Sequence, residues 1–208
     1  MDAALARAMN HGEPLPFING AESADFITDE RLAVAALEDD RAYEFLVERY
    51  EKKLQRYIMR FIGCGMEDAR DIVQESFVNA YRNLAGFDPD LKFSAWIYRI
   101  AHNEAVSHVR RLAARPTVVM EDEQFESLAS ELNVERDISR AMEAEHIRRA
   151  IGRLDSKYRD VIVLRYLEEK TYEEISDILR KPRGSVSSLI SRAKEHLAEL
   201  IRADHPIH

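Results

Sequence analysis

The chain has 208 residues, of which 46% are hydrophobic and 33% charged, and its formal net charge at pH 7 is −8. This composition is typical of one or two globular domains, and the acidic excess excludes a surface that is basic throughout and binds nucleic acid without selection. The single cysteine excludes a disulfide framework within the chain. Because no apolar run approaches the roughly 20 residues of a membrane span, and the first residues do not resemble a signal peptide, we predict a cytoplasmic protein without membrane insertion.

Glycine and proline are few and clustered, which favours long helices with short joints over a sheet. Residues 1–28 have weak periodicity and indicate either a mobile extension or a partner-binding arm. Residues 29–62 are predicted to be helical, with a helix start at Asp39–Asp40, and the Gly63-Cys64-Gly65 sequence ends that helix. The first folded domain is predicted at 29–115.

A second helix is predicted from about residue 67 to residue 84. Its apolar stripe, at helical spacing, contains Ala69, Ile72, Val73, Phe77, Ala80, Tyr81 and Leu84. Asp68, Asp71, Gln74 and Glu75 lie off this stripe. Acidic residues in a first turn are explained by the helix dipole, but Gln74 and Glu75 lie beyond it. The sequence pattern leaves open whether this polar face is solvated or binds a partner.

A third helix is predicted from about residue 92 to residue 112, after a Gly/Pro loop. Its candidate core face contains Phe93, Ile97, Ile100, Ala101, Val109 and Leu112. Its polar side contains Arg99, His102, Asn103, Arg110 and Arg111. Basic side chains there can hold phosphates, while Asn and His can hydrogen-bond exposed base edges. The lone Trp96 is either a core residue or a surface on which a base stacks.

Residues 116–133 are acidic and aperiodic, so we interpret them as a flexible linker. The linker is either a solvated spacer or a negative segment that occupies a nucleic-acid channel. A last domain is predicted at 134–202, with a tail at 203–208. Its first two helices include Ile147 and Leu167 among their apolar positions.

The end of this domain has a helix-turn-helix pattern. Thr171 and Glu174 match a capping box, and Gly184 is expected to supply a positive φ in the turn before the final helix, about 185–201. The exposed N-terminal half of that helix would contain Arg183, Ser185, Ser187, Ser188, Ser191, Arg192 and Lys194. From Arg180 through Lys194 there are five basic residues and no acid, which favours DNA binding in a major groove. The alternative is a helical hairpin with a basic, solvated face.

Three segments together resemble the extracytoplasmic-function sigma factors of bacterial RNA polymerase. The segment DARDIVQESFVNAYRN is similar to the core-polymerase-binding segment of that family, and FSAWIYRIAHNEAVSHVRR is similar to its promoter-melting and minus-ten segment. The segment from RLDSKYRDVIV to SRAKEHL is similar to its minus-thirty-five-reading domain. The resemblance implies an all-α fold of two small helical domains joined by a flexible acidic linker, the C-terminal one a helix-turn-helix.

The resemblance also implies a role for each of the three groups of polar residues and for Tyr98. Core-polymerase binding falls on Asp68, Asp71, Gln74 and Glu75. Minus-ten binding and melting fall on Trp96, Tyr98, Arg99, His102, Asn103, Arg110 and Arg111. Minus-thirty-five binding falls on Arg183, Ser185, Ser187, Ser188, Ser191, Arg192 and Lys194. The loop 87–92 is more acidic than is usual in the family, which leaves the minus-ten preference open.

We therefore predict a sigma factor that binds core RNA polymerase, directs it to promoter DNA and assists melting, with an anti-sigma factor as a further partner. No catalytic residues, metal, cofactor or small-molecule substrate are expected, since the chain has no convincing catalytic or metal-ligand arrangement. Two alternatives are a dimeric helix-turn-helix regulator that acts without the polymerase and a helical protein-interaction adaptor.

Overall fold

The structure is a computed structural model that describes residues 27–113 and 137–204, with side chains at 27–113 and 145–203. The predicted linker at 116–133, and most of the predicted extension and tail, lie outside these residues. The described residues form helices and loops only, so the predicted all-α class is confirmed for this part of the chain.

Four helices make up the N-terminal unit and four the C-terminal unit. The N-terminal unit contains α1 (Asp29–Ala35), α2 (Asp40–Ile62), α3 (Met66–Arg82), a short 3-10 turn (Leu84–Gly86) and α4 (Phe93–Ala113). The C-terminal unit contains α5 (Asp137–Gly152), α6 (Ser156–Ile162), which continues as a π-helical turn (Val163–Leu167), α7 (Tyr172–Leu179) and α8 (Arg183–Asp204).

Local signals in the sequence explain where the N-terminal helices start and stop. The Asp39 side chain accepts a hydrogen bond from the amide of Arg41 and caps α2, which is the predicted start. Gly63 ends α2 in the left-handed region, at a φ of 70°. The apolar stripes of α2, α3 and α4 meet in one core that includes Leu54, Ile72 and Ile97, all nearly inaccessible to solvent.

The C-terminal unit contains the predicted helix-turn-helix, with one correction to its turn. Thr171 and Glu174 form the reciprocal capping box at the start of α7, as predicted. The prediction of a positive φ at Gly184 was wrong, because Gly184 already lies in the first turn of α8. The chain reverses at Arg180, which follows α7 directly and has a φ of 51°.

Five residues predicted on apolar core faces are exposed instead. They are Tyr81, Val109, Leu112, Ile147 and Leu167. The Tyr81 ring packs edge-on to Tyr43 while its hydroxyl donates to Asp40, so this side chain spans from α3 to the start of α2 at the surface. Among residues 145–152 of α5, whose side chains are described, Ala150 and Ile151 are buried and Ile147 is 44% exposed.

The two units pack directly against each other. Helix α4 contacts α7, and α2 contacts both α6 and the π-helical turn. Arg159 of α6 donates a hydrogen bond to the carbonyl of Phe61 near the end of α2. The structure therefore presents a closed arrangement in which the helix-turn-helix lies beside the predicted minus-ten helix.

Candidate binding surfaces

A polar face on α3 gathers the residues that were predicted to bind the polymerase. Asp71, Gln74 and Glu75 are exposed and Asp68 is half-buried. The opposite side of α3 is buried, since Ile72, Val73 and Phe77 enter the core. Packing thus fixes the direction of the polar face and leaves it accessible in the closed arrangement.

This face continues into a groove between α3 and α4 that the sequence analysis did not identify. Beyond the predicted residues, the groove is lined by Val78, Asn79, Arg82, Glu104 and Arg111. The α3 members were detectable, because positions 71, 74, 75, 78, 79 and 82 recur at the three- and four-residue spacing of one helix face. The α4 members required knowledge of how the two helices pack.

Two polar contacts connect the walls of this groove. Arg111 pairs with Glu75 at 3.1 Å, and the Asn79 side chain donates to Glu104 at 2.8 Å. Both members of the Arg111–Glu75 pair are more than half exposed, so the pair adds little stability. The ion pair does show where Arg111 lies, which is on the side of α4 that faces α3.

A second surface runs along α4. Trp96, Arg99, Asn103 and Arg110 follow the helical spacing i, i+3, i+7, i+14 and so share one face, called here the α4 strip. Asn103 and Arg110 are exposed, and Trp96 and Arg99 are partly exposed. The Trp96 ring centroid lies 5.3 Å from that of Phe87 and 5.6 Å from that of Phe93. The indole therefore packs on the aromatic core with one part while another part stays accessible.

Tyr98 and His102, also predicted to bind DNA, lie on a different side of α4, where Tyr98 contacts the C-terminal unit and His102 packs on α2 of its own unit. Tyr98 is only 2% exposed, and its hydroxyl donates to Glu168 at 2.7 Å. His102 stacks on Phe61 at 4.7 Å, and its Nδ1 lies 3.0 Å from the Tyr57 hydroxyl. Burial, and to a smaller extent the charge of Lys181, lowers the pKa of His102 to about 4. His102 is therefore neutral at pH 7 in this arrangement.

A third surface is the N-terminal half of α8. Its polar residues are all exposed: Arg183, Ser185, Ser187, Ser188, Ser191, Arg192 and Lys194. The buried residues Val186, Ile190 and Ala193 hold the other side of the helix on α6 and α7. Arg183 forms an ion pair with Glu173 of α7 at 2.5 Å. The Ser188 hydroxyl donates to the Gly184 carbonyl, so this serine is turned back onto its own helix.

The contacts between the two units include residues that the sequence analysis missed. Arg60 and Glu168 pair at 2.9 Å, and the Ser94 hydroxyl donates to Glu174 at 3.0 Å. The members of each pair are far apart in the chain and belong to no local motif. A single sequence contains no signal that would have paired them.

Neither a metal site nor a membrane span occurs in the part of the chain that the structure describes. Within residues 27–113 and 137–204, no three His, Cys, Asp or Glu side chains are grouped so that they could hold a metal ion. None of the helices described over the same ranges is long and apolar enough to cross a membrane.

Both units of the chain are similar to known proteins. Sequence models of Sigma-70 region 2 and Sigma-70 region 4 match residues 46–115 and 145–197, respectively. The chain is 32% identical over 173 residues to the ECF RNA polymerase sigma factor SigW of Bacillus subtilis, covering 79% of this chain and 91% of that protein. It is 38% identical over 165 residues to the ECF RNA polymerase sigma-E factor of Salmonella typhimurium, covering 76% and 85%.

Solved structures are also similar over most of the chain. Among them is the structure of CnrH in complex with the cytosolic domain of CnrY, at a TM-score of 0.64 and 29% identity. The match covers 85% of this chain and 98% of that chain. The similarity therefore extends over both helical units and not only over one of them.

Proposed function

The chain belongs to the ECF RNA polymerase sigma factors, as its sequence predicted, and we propose that its three polar surfaces divide the work of transcription initiation. In this proposal the polar face of α3 binds core RNA polymerase, the α4 strip binds the melted minus-ten strand, and α8 reads the minus-thirty-five duplex. Matches to both region 2 and region 4 favour this function over an isolated helix-turn-helix regulator or an interaction adaptor.

The observation that carries the proposal is the separation of charge within an acidic chain. The α3 face is mainly acidic and amide-bearing, whereas from residue 180 to residue 194 the chain has five basic residues and no acid. The basic N-terminal half of a helix can contact phosphates and base edges in a major groove. An acidic face repels DNA and so suits a protein partner.

In this mechanism the sigma factor acts by binding energy and catalyses no reaction. Extruding a base from the duplex costs a few kcal/mol, which a pocket near Asn103 offsets only for a base that it fits. Part of the Trp96 ring is accessible for stacking, which contributes on the order of 1–3 kcal/mol per base. Arg110 supplies a phosphate contact further along the strip. Recognition and melting are then coupled, because the melted state is stabilised only at the correct sequence.

The other partner and boundary assignments are part of the same proposal. A protein partner of the anti-sigma type is supported by CnrH, which was solved in complex with the cytosolic domain of CnrY. We assign region 2 to 29–115 and region 4 to 134–202, and we place the protein in the cytoplasm, where such a partner and the polymerase would meet it.

The direct test is run-off transcription with core RNA polymerase and a library of promoter fragments. We expect the full-length protein to co-purify with core polymerase and to direct transcripts from defined start sites. A protein that neither binds core polymerase nor selects start sites would refute the proposal.

The polymerase-binding face is tested by Asp71→Arg. We expect its affinity for core polymerase to fall by about tenfold or more, because the exposed carboxylate is replaced by a cation in the centre of the face. Glu51→Arg is the matched control, since it makes the same charge change on an exposed part of α2 away from the face. Equal affinities of the two variants, measured by fluorescence anisotropy, would remove Asp71 from the interface.

A further inference from the structure

Arg183, the first residue of α8, is held by a carboxylate from the other helix of the helix-turn-helix. Its Nη1 lies 2.5 Å from the Oε1 of Glu173, and both side chains are more than half exposed. An exposed ion pair of this kind adds little to stability. Its effect on a long, flexible side chain is to restrict the rotamers, so Glu173 determines where the guanidinium of Arg183 lies.

The capping box of α7 fixes Glu173 in turn. Thr171 and Glu174 bond reciprocally at the start of α7, which places Glu173 in the first turn of a well-ordered helix. A guanidinium has several N–H donors in a planar fork, so a carboxylate that holds one nitrogen leaves the others free to bind. A fork held in this way suits the O6 and N7 acceptors of guanine in a major groove.

Arg183 also lines an open cavity of about 410 Å³ at the start of α8. The other lining residues are Tyr172, Gly184 and Ser187. The Arg165 guanidinium lies 5.5 Å from the centroid of the Tyr172 ring, so the aromatic wall of the cavity is itself held in place. The cavity thus combines an aromatic wall, a hydroxyl and a cation at the exposed end of the helix proposed to enter the major groove.

Gly184, in the same cavity, is not required by the fold of this turn. It has no positive φ, and a Cβ atom at this position would meet nothing beyond its own turn within 4 Å among the described residues. Glycine lowers helix stability relative to alanine, so the fold alone gives no reason for a glycine here. Its missing side chain does provide clearance for a group that approaches from outside the protein.

We propose that Glu173 is a positioning residue for sequence recognition, which holds Arg183 at this cavity so that the guanidinium reads a guanine while Gly184 leaves room for the base-pair edge. This inference rests on the proposed function of α8. Glu173 also brings a negative charge close to DNA, and that charge repels the phosphates of every duplex alike. Glu173 therefore lowers general affinity for duplex DNA and raises discrimination between sequences.

The test uses holoenzyme assembled from core RNA polymerase and full-length Glu173→Ala, with duplexes randomised over the minus-thirty-five element identified by run-off transcription. We expect the preference for guanine at one position to fall about tenfold, as for loss of one bidentate contact. Affinity for a duplex of unrelated sequence should rise about two- to threefold, because a negative charge is removed. Glu195→Ala, which removes an exposed carboxylate further along α8, is the matched control and should keep the guanine preference.

Further variants show whether Glu173 acts through Arg183 and whether the cavity is used. Arg183→Ala should remove the same guanine preference, and adding Glu173→Ala to it should cause no further loss. Glu173→Asp, which keeps the charge, should retain part of the preference. Gly184→Ala should lower affinity for the specific duplex about tenfold, while the Tm of the free protein stays the same or rises, because alanine favours a helix.

The outcomes separate the positioning role from the proposed function. An unchanged guanine preference in Glu173→Ala, an equal loss of it in Glu195→Ala, or a further loss on top of Arg183→Ala would overturn the positioning role. A loss of affinity for all duplexes alike would overturn it too, since that result indicates a structural residue. Wild-type affinity in Gly184→Ala would overturn the use of the cavity. The sigma-factor function fails separately, if the wild-type protein selects no start sites.

Discussion

The two helices proposed to bind DNA, α4 and α8, differ in how far the rest of the chain covers them. Helix α8 presents seven polar residues at its N-terminal half, all exposed. Helix α4 lies against the other unit on one side, where Tyr98 is buried and donates a hydrogen bond to Glu168. The helix proposed to read duplex DNA is thus accessible in the closed chain, whereas the helix proposed to read single strands is partly covered.

This difference fits the order in which the two kinds of DNA site exist. The minus-thirty-five element is duplex throughout initiation, so a rigid, exposed helix can read it at any time. Unpaired minus-ten bases exist only after melting, so a surface that is covered until then loses no productive binding. Substitutions in each helix separately test whether α4 and α8 differ in this way.

The largest effect is expected from Arg183→Ala combined with Arg192→Ala in α8. Each arginine can supply about 1–3 kcal/mol of base discrimination, so binding of the holoenzyme to duplex promoter should fall by about 100-fold. Binding to the single-stranded minus-ten oligonucleotide should not change. Arg202→Ala, at the exposed C-terminal end of the same helix, is the control for loss of charge. An equal loss in Arg202→Ala would show a general electrostatic effect in place of groove reading.

A smaller effect, about tenfold, is expected for Asn103→Ala in the α4 strip. Loss of hydrogen bonds to an unstacked base should weaken open-complex formation but leave core binding intact. Permanganate reactivity of unpaired thymines measures this step. Asn83→Ala removes an exposed amide at the end of α3 and serves as the control. Wild-type levels of open complex in Asn103→Ala would count against base capture at this position.

The smallest effect is expected on the free energy of unfolding of region 4, through the carboxyl group of Asp160. Asp160 is 9% exposed, and its Oδ1 has no hydrogen-bond partner; burial raises its pKa to about 7 from the usual 3.8. A raised pKa favours the protonated acid in the folded state, so this contribution to stability is present below pH 3.8 and is lost as the pH rises to about 7.

We therefore expect Asp160→Asn to be more stable than wild type at pH 8, by at least about 1 kcal/mol, and to lose this advantage near pH 4. Urea denaturation followed by circular dichroism at several pH values measures the difference between the two proteins, so the titration of other carboxylates cancels. A difference that is independent of pH would show that Asp160 does not titrate in this range.

The sequence predicted the features that depend on local pattern. The structure confirms the capping box at Thr171 and the cap at Asp39. Both could be predicted because each connects residues only two or three positions apart. The apolar stripes of α2 and α3 predicted most of their buried positions for the same reason. Gly184 shows the limit of this reasoning, since the left-handed residue that the turn needs is Arg180, a type that rarely adopts it.

Features that depend on the meeting of distant segments could not be predicted. Glu168 gives no local sign that Arg60 and Tyr98 will surround it. Val109 fits the apolar pattern of α4 but is 44% exposed, because it lies three turns beyond Tyr98, on the side where α4 contacts region 4 only nearer the start of the helix. The composition of the α4 and α8 polar faces was predictable, whereas which of them is covered was not.

Arg159 connects the two units, but most of its hydrogen bonds lie within its own unit. Its guanidinium donates to the carbonyls of Ile151, Gly152 and Leu154 in its own unit and to the carbonyl of Phe61 in the other. When the units part, three of these four bonds stay in place, and the lost bond costs on the order of 1 kcal/mol once water replaces it. The α5–α6 corner thus keeps three of its four Arg159 contacts without the other unit, so we expect region 4 to retain its fold when it is not packed on region 2.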